Sequence, residues 1–211
     1  MSIDQSAGFD LVSESALDSD ALDLLFREAR TANTFTDEPV SEDTARAIYE
    51  LAKMGPTMMN VQPLRVTWVR SEEARERLVS HMAEGNAAKT KAAPLVAVLS
   101  FDTEWPEHFG TVFPIAPERA AMFTGDENAA VRAAVGSNNA WLQAGYFILA
   151  VRAMGLHAGP MGGFDAAGID ADLHAGLNRQ TFMVVNIGKP GPDAWFPRLP
   201  RLDAEVATTT L

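Results

Sequence analysis

Apolar residues in this chain recur with two periods, and the switches between them mark out its elements. From Asp18–Asp20 a helical spacing runs through Leu22, Leu25, Phe26 and Ala29 and fades in "RTANTF". Residues 1–17 ahead of it read as a loose leader, with one domain over 18–211. Ser41 followed by Glu42 and Asp43 predicts a capped second helix, with Ile48, Leu51 and Ala52 on its apolar face and Gly55-Pro56 as its stop. In "LRVTWVR", Leu64, Val66 and Trp68 alternate with Arg65 and Thr67, as in a strand with one face buried. "SEEARERLVSHM" predicts a capped, charged helix, and "EGNAAKTKAA" a shorter helical piece. "PLVAVLSF" is apolar throughout, which suits a strand covered on both faces.

The second half follows the same logic. Residues 102–125 hold prolines and aromatics without a period, and suit either a binding loop or an ordered connection packed on the core. From Asp126 to Met154 the pattern is helical and apolar almost all round, so this helix is expected in the core or at a subunit contact. "GPMGGFD" reads as a glycine-rich turn, with Asp165 capping a further helix. "TFMVVNIG" is the last strand, and "KPGPDAWFPRLPRLDAEV" an extended tail.

Composition narrows the function classes. The chain has 211 residues, 47% of them apolar, and no cysteine, which excludes disulfides and thiolate chemistry. The net charge of −11, without a run of lysines or arginines, argues against nucleic acid as a partner. No apolar run approaches the ~20 residues that span a bilayer, so a membrane partner is not expected and a cytoplasmic location is. In so acidic a chain an anion site needs arginines placed to overcome the general field.

The familiar catalytic patterns are missing. The histidines lack metal-ligand spacing, so no metal is expected. Walker, GxSxG and GxGxxG motifs are likewise absent. Four stretches remain: "REARTANTF" with Arg30; "PTMMNVQP" at 56–63; Asn86 and Lys89, which share a face if their segment is helical; and "FPRLPRL" with Arg198 and Arg201. In "PTMMNVQP" two methionines sit beside Asn60 and Gln62, a mixture suited to gripping something flat and polar.

Taken in order, with "GPMGGFD", these stretches resemble the FMN-dependent nitroreductase family over about Leu22–Leu202. "ARTxN", "GPMxGFD" and "RLPRL" resemble, within it, the branch of malonic semialdehyde reductases (3-hydroxypropanoate dehydrogenases) of pyrimidine degradation. The resemblance implies an α+β fold: a mixed central sheet, helices on both faces, a long buried helix and an extended C-terminal arm wrapping the partner of a homodimer. It implies FMN as cofactor and NAD(P)H as a visiting hydride donor, so no dinucleotide fingerprint is needed. Arg30, Thr31, Asn33, Arg198 and Arg201 would face the phosphate. Thr57, Met58, Asn60 and Gln62 would lie along the flavin, with Pro63 holding Gln62 extended. Asn86 and Lys89 would approach the ring, and Pro160, Met161, Gly162 and Gly163 its other side. Thr57, Asn33 and Gly162 stand where relatives carry serine, a basic residue and an acidic residue. The implied reaction passes hydride to a small aldehyde such as malonic semialdehyde. The alternatives are a broad NAD(P)H nitro- or quinone reductase and a flavin-binding protein without turnover.

Overall fold

The computed structural model describes residues 15–211, so most of the expected leader lies outside the described residues. Four strands, β1 (Leu64–Val69), β2 (Leu95–Asp102), β3 (His157–Met161) and β4 (Arg179–Gly188), form one sheet in the order β1-β2-β4-β3. Every neighbouring pair is antiparallel, so the expected mixed sheet is corrected. Antiparallel partners need no helical crossover of fixed hand, and that choice leaves no trace in the strand pattern itself.

Helices cover both faces. On one, α2 (Glu42–Ala52) and α6 (Ala129–Ala153) bury Ile48, Ala144, Phe147 and Val151 against Leu95, Ala97, Leu99, Val185 and Ile187. On the other, α3 (Glu72–Ser80), α4 (Glu84–Ala92) and α7 (Ala166–Leu173) lie over Val96, Val98 and Val184, with Leu78, Ala87 and Ile169 packed there. β2 thus faces the core on both sides, as its unbroken apolar run demands. Ser41, Ser71 and Asp165 each accept a backbone N–H as N-caps of α2, α3 and α7.

Several elements differ from their sequence expectation. The first helix is short: α1 (Ser19–Leu22) runs into a π-turn over Asp23–Arg27 and stops before Ala29. Pro160 and Met161 lie in β3, where a turn was expected; the turn begins only at Gly162. A proline is tolerated there because β3 is an edge strand paired only with β4. Residues 103–128 form short helical turns, including α5 (Phe109–Val112), around buried Trp105, Phe109 and Phe123. Packing therefore accounts for the aromatics of that segment.

α6 is buried along one side only. Val131, Trp141 and Leu142 are about half exposed on its outer face. An added Cβ at Gly145, also exposed, would meet nothing within 4 Å. After β4 the tail runs extended to the short α8 (Ala204–Ala207), with Phe196, Leu199, Leu202 and Val206 largely exposed. Among the described residues no helix is long and apolar enough to cross a membrane.

Candidate functional site

The expected site residues fall into three places. The first is a cleft of about 370 Å³ lined by Ala29, Arg30, Thr31, Asn33, Arg198 and Arg201, among others. The segment after α1 reaches it by running along the outer edge of β3: the Ala32 amide donates to Ala158 O at 3.2 Å. The Asn33 amide ties the same segment to the tail at Ala194 O, 3.0 Å. Arg30 donates to the carbonyl of Phe196, and Arg198 reaches back to that of Arg27. Each arm of the cleft is thus held by an arginine from the other. Arg30 also lies over the Trp195 ring, 5.8 Å from its centroid. Trp195 was not singled out in the sequence; an aromatic in a proline-rich tail carries no signal of what it stacks against.

Trp195 also meets His157, with ring centroids 4.8 Å apart. Arg152 lies 2.6 Å from His157 Nδ1. Burial, then the charges of Arg152 and Lys189, pushes the His157 imidazole down to about 4 from its ordinary 6.5. Between those values the unfolded chain binds the proton more readily. Stability is therefore whole above pH 6.5 and is lost as pH falls toward 4. We expect about 1–2 kcal/mol from this group, less than the full shift because the ring keeps partial solvent contact. Urea unfolding of the parent and His157→Gln between pH 4 and 7 checks it: the variant should show the shallower slope, and identical slopes would refute the assignment.

The second place is the turn after β3. Asn86 Nδ2 donates to Gly163 O at 3.0 Å, and the Ala83 amide donates to the same carbonyl at 3.0 Å. A Cβ at Gly163 would lie 2.7 Å from Asn86 Nδ2, so only glycine allows this approach. At Gly162 an added Cβ would meet nothing within 4 Å, leaving open space beside the exposed backbone. Lys89 sits one turn beyond Asn86 on α4 and is half-buried. Phe35 and Ala87 both pack against the cluster that holds Met161; the Arg30 segment meets β3 near its start, at Ala158 and Gly159, and α4 meets the turn that follows its end, at Gly163.

The third place is the "PTMMNVQP" loop. It leads into β1, at the opposite edge of the sheet from β3. Three strand spacings separate those edges, about 14 Å. Within one chain, Thr57, Met58, Asn60 and Gln62 are therefore not gathered with the other two groups. Met59, Asn60 and Gln62 have φ of 49°, 56° and 42°, so Gln62 is left-handed rather than extended. The residue before a proline is steered away from right-handed helix, and the sequence offers no means to foresee the left-handed alternative. Asn60 Nδ2 donates to Val112 O at 2.7 Å, and Gln62 Nε2 donates to Asn60 Oδ1 at 2.9 Å.

A larger groove, about 720 Å³, lies elsewhere, between α2 and β1. Its arginines 46, 65, 70 and 179 face Glu42, Asp43 and Glu50 in the same lining. Arg65 is paired with Asp102 at 2.7 Å, and Arg70 is spent on the carbonyls of Val40 and Ser41. The cleft at Arg30 differs in kind. Among the described residues no carboxylate lies within 4 Å of Arg30, Arg198, Arg201 or Lys89. No cluster of metal-ligating side chains is present among the described residues either. In a chain of net charge −11, cations left without acidic neighbours in one concavity mark a place for an anion.

Comparison with known proteins bears on the fold and family of the chain. The nitroreductase family profile matches residues 26–189. A Streptomyces griseus protein is 55% identical over 195 residues, covering 92% of this chain and 98% of its own. A Streptomyces coelicolor protein is 56% identical over the same length and shares. Both are provisionally named NADH dehydrogenase/NAD(P)H nitroreductase, a description that does not extend to semialdehyde reductases. A nitroreductase-type structure from Bacillus subtilis superposes with a TM-score of 0.79 at 20% identity, covering 89% of this chain and 97% of that one. Another, from Exiguobacterium sibiricum and solved in complex with FMN, gives 0.78 at 19% identity, covering 94% and 99%. From the extent of the profile match and the identity to full-length relatives, the chain belongs to the nitroreductase family.

Proposed function

We propose that this protein is an NAD(P)H-dependent flavin oxidoreductase that holds FMN and reduces nitro or quinone compounds. The observation that carries the reading is the cleft with Arg30, Arg198 and Arg201, which have no carboxylate within 4 Å among the described residues. Planar guanidiniums suit a phosphate monoester, and Thr31 and Asn33 add neutral donors at its rim. The open backbone at Gly162 offers a flat approach for a ring, with Pro160, Met161 and Gly163 behind it. FMN, when bound, supplies hydride chemistry that no side chain here performs. The residues of this chain orient the donor and acceptor and set the local charge.

The third group of residues completes the site from a second copy. Thr57, Met58, Asn60 and Gln62 sit at the β1 edge, three strand spacings from the β3 edge that carries the Arg30 cleft, and a second copy would bring them over it. The exposed apolar stripe of α6 and the exposed apolar residues of the tail suit a homodimer in which each tail embraces its partner. Large apolar side chains left exposed together on one face are a common mark of a protein contact. The chain's setting is the cytoplasm, where NAD(P)H is available.

A second reading, reduction of malonic semialdehyde to 3-hydroxypropanoate, is favoured by "GPMGGFD" and "RLPRL". The relatives' names favour the broader acceptor range. Purified protein tests both. It should be yellow, dimeric by mass, and bleached anaerobically by NADH or NADPH. Reoxidation by nitroaromatics or quinones supports the first reading; reoxidation by malonic semialdehyde alone would replace it with the second. A colourless protein that rejects FMN would sink both, and an FMN-loaded monomer would refute the shared site.

A further inference from the structure

The 56–63 loop keeps three non-glycine residues in the left-handed region, each at a cost on the order of 1 kcal/mol or more, and such conformations persist only where the surroundings over-determine them. The surroundings here are one stripe of α6. Tyr146 donates its hydroxyl to Pro56 O at 3.0 Å. The Met58 amide donates to Asn139 Oδ1 at 2.8 Å, and the Leu64 amide donates to Gln143 Oε1 at 3.0 Å. Residues 139, 143 and 146 are spaced four and three apart, so they stand above one another on one helix face. Asn139 and Gln143 are 7% and 4% exposed, so their amides have no solvent to turn toward. Asn139 Nδ2 also donates to Val135 O at 2.9 Å, which fixes which end of the amide faces the loop. The Tyr146 ring packs so closely on Gly55 that a Cβ there would lie 2.0 Å from it.

We propose that Asn139, Gln143 and Tyr146 are positioning residues: a three-point clamp that holds the strained loop, and so aims Asn60 and Gln62 at the flavin of the partner subunit. The inference rests on the flavin reading above. The backbone groups held are those at the loop's entry, middle and exit, so the loop moves with α6. The same helix turns its other side, with Trp141 and Leu142, to the proposed dimer contact. The clamp therefore ties loop geometry to assembly.

Amide exchange by NMR on the FMN-free protein tests the clamp without the cofactor. Met58 and Leu64 should be protected in the parent, and protection should fall at least tenfold in Asn139→Leu and Gln143→Met. Anaerobic bleaching by saturating NAD(P)H with FMN fully bound tests positioning. Its rate should fall 10- to 100-fold in the same variants, since small misplacements at a reacting centre have effects of that size. Tyr146→Phe keeps the ring against Gly55 and serves if the buried variants fail to fold; it should show a smaller change in the same direction. Parent-like exchange and bleaching would overturn the proposal. Lost protection with parent-like bleaching would leave a structural clamp and overturn the positioning role. A parent that takes up no FMN overturns the flavin reading and the positioning role together, with exchange alone then judging the clamp.

Discussion

Arg30→Ala is expected to release FMN roughly 10- to 150-fold more readily than the parent, while turnover at saturating FMN changes less than about threefold. The range follows from about 1.5–3 kcal/mol for a hydrogen bond to a charged group, at about 1.4 kcal/mol per decade. Arg30 qualifies because no carboxylate among the described residues competes for it and because its position is set from two sides. Trp195 lies beneath its guanidinium, and the Phe196 carbonyl takes one of its donors. A guanidinium has five donors, so most remain for a ligand. The effect falls on retention because a phosphate is held far from the reacting end of the ring. Arg30→Lys should be intermediate, keeping the charge and losing the fork. Fluorescence titration of the FMN-free variants with FMN decides it. Equal affinity in Arg30→Ala and parent would remove Arg30 from the site, whereas a failure of all variants and the parent to bind would remove the cofactor instead.

Lys89→Met should lower the two-electron potential of the bound flavin by roughly 20–90 mV. A cation near the ring favours the negative charge that reduction adds. Two unit charges about 4 Å apart at an effective dielectric near 20 interact by about 4 kcal/mol, and Lys89 is only half-buried, so about 1–4 kcal/mol is the fair range. For a two-electron couple that converts to the figure given. The segment is helical, Asn86 one turn earlier is fixed to Gly163, and Lys89 has no carboxylate neighbour among the described residues. Oxidised FMN should bind the variant nearly as well as the parent. Redox titration of both proteins at one pH and salt concentration measures the shift. An unchanged potential with FMN fully bound would make Lys89 a surface lysine and leave Asn86 as a support for the turn alone.

Local signals were strong where one residue type has one physical use. Ser41, Ser71 and Asp165 cap helices because a short side-chain oxygen at that position has a free N–H to accept from. The unbroken apolar run of β2 could only belong to a strand covered twice. Asn86 and Lys89 were legible as a pair because a helix brings positions three apart together. Where a residue serves two geometries equally well, the sequence was silent. Pro160 in a glycine-rich stretch suited a turn, and it suits an edge strand just as well. Gln62 before proline suited an extended bond, yet it is left-handed, because the clamp from α6 holds the backbone on either side.

By itself, the order of residues determined the alternation of elements, the two covered faces of β2 and the acidic background against which its few arginines stand out. These are properties of short windows, where propensity, period and charge act on neighbours. Only the tertiary structure decided which distant segments meet. It set Arg30 against Trp195 and the tail, closed Asn86 onto Gly163, and sent the "PTMMNVQP" loop to the far edge of the sheet. It also turned three polar side chains of a nearly all-apolar helix inward to hold that loop. Strand order and antiparallel pairing fixed those meetings, and both are chosen by the whole core at once: the sheet with the most complete burial and backbone pairing prevails over every local preference.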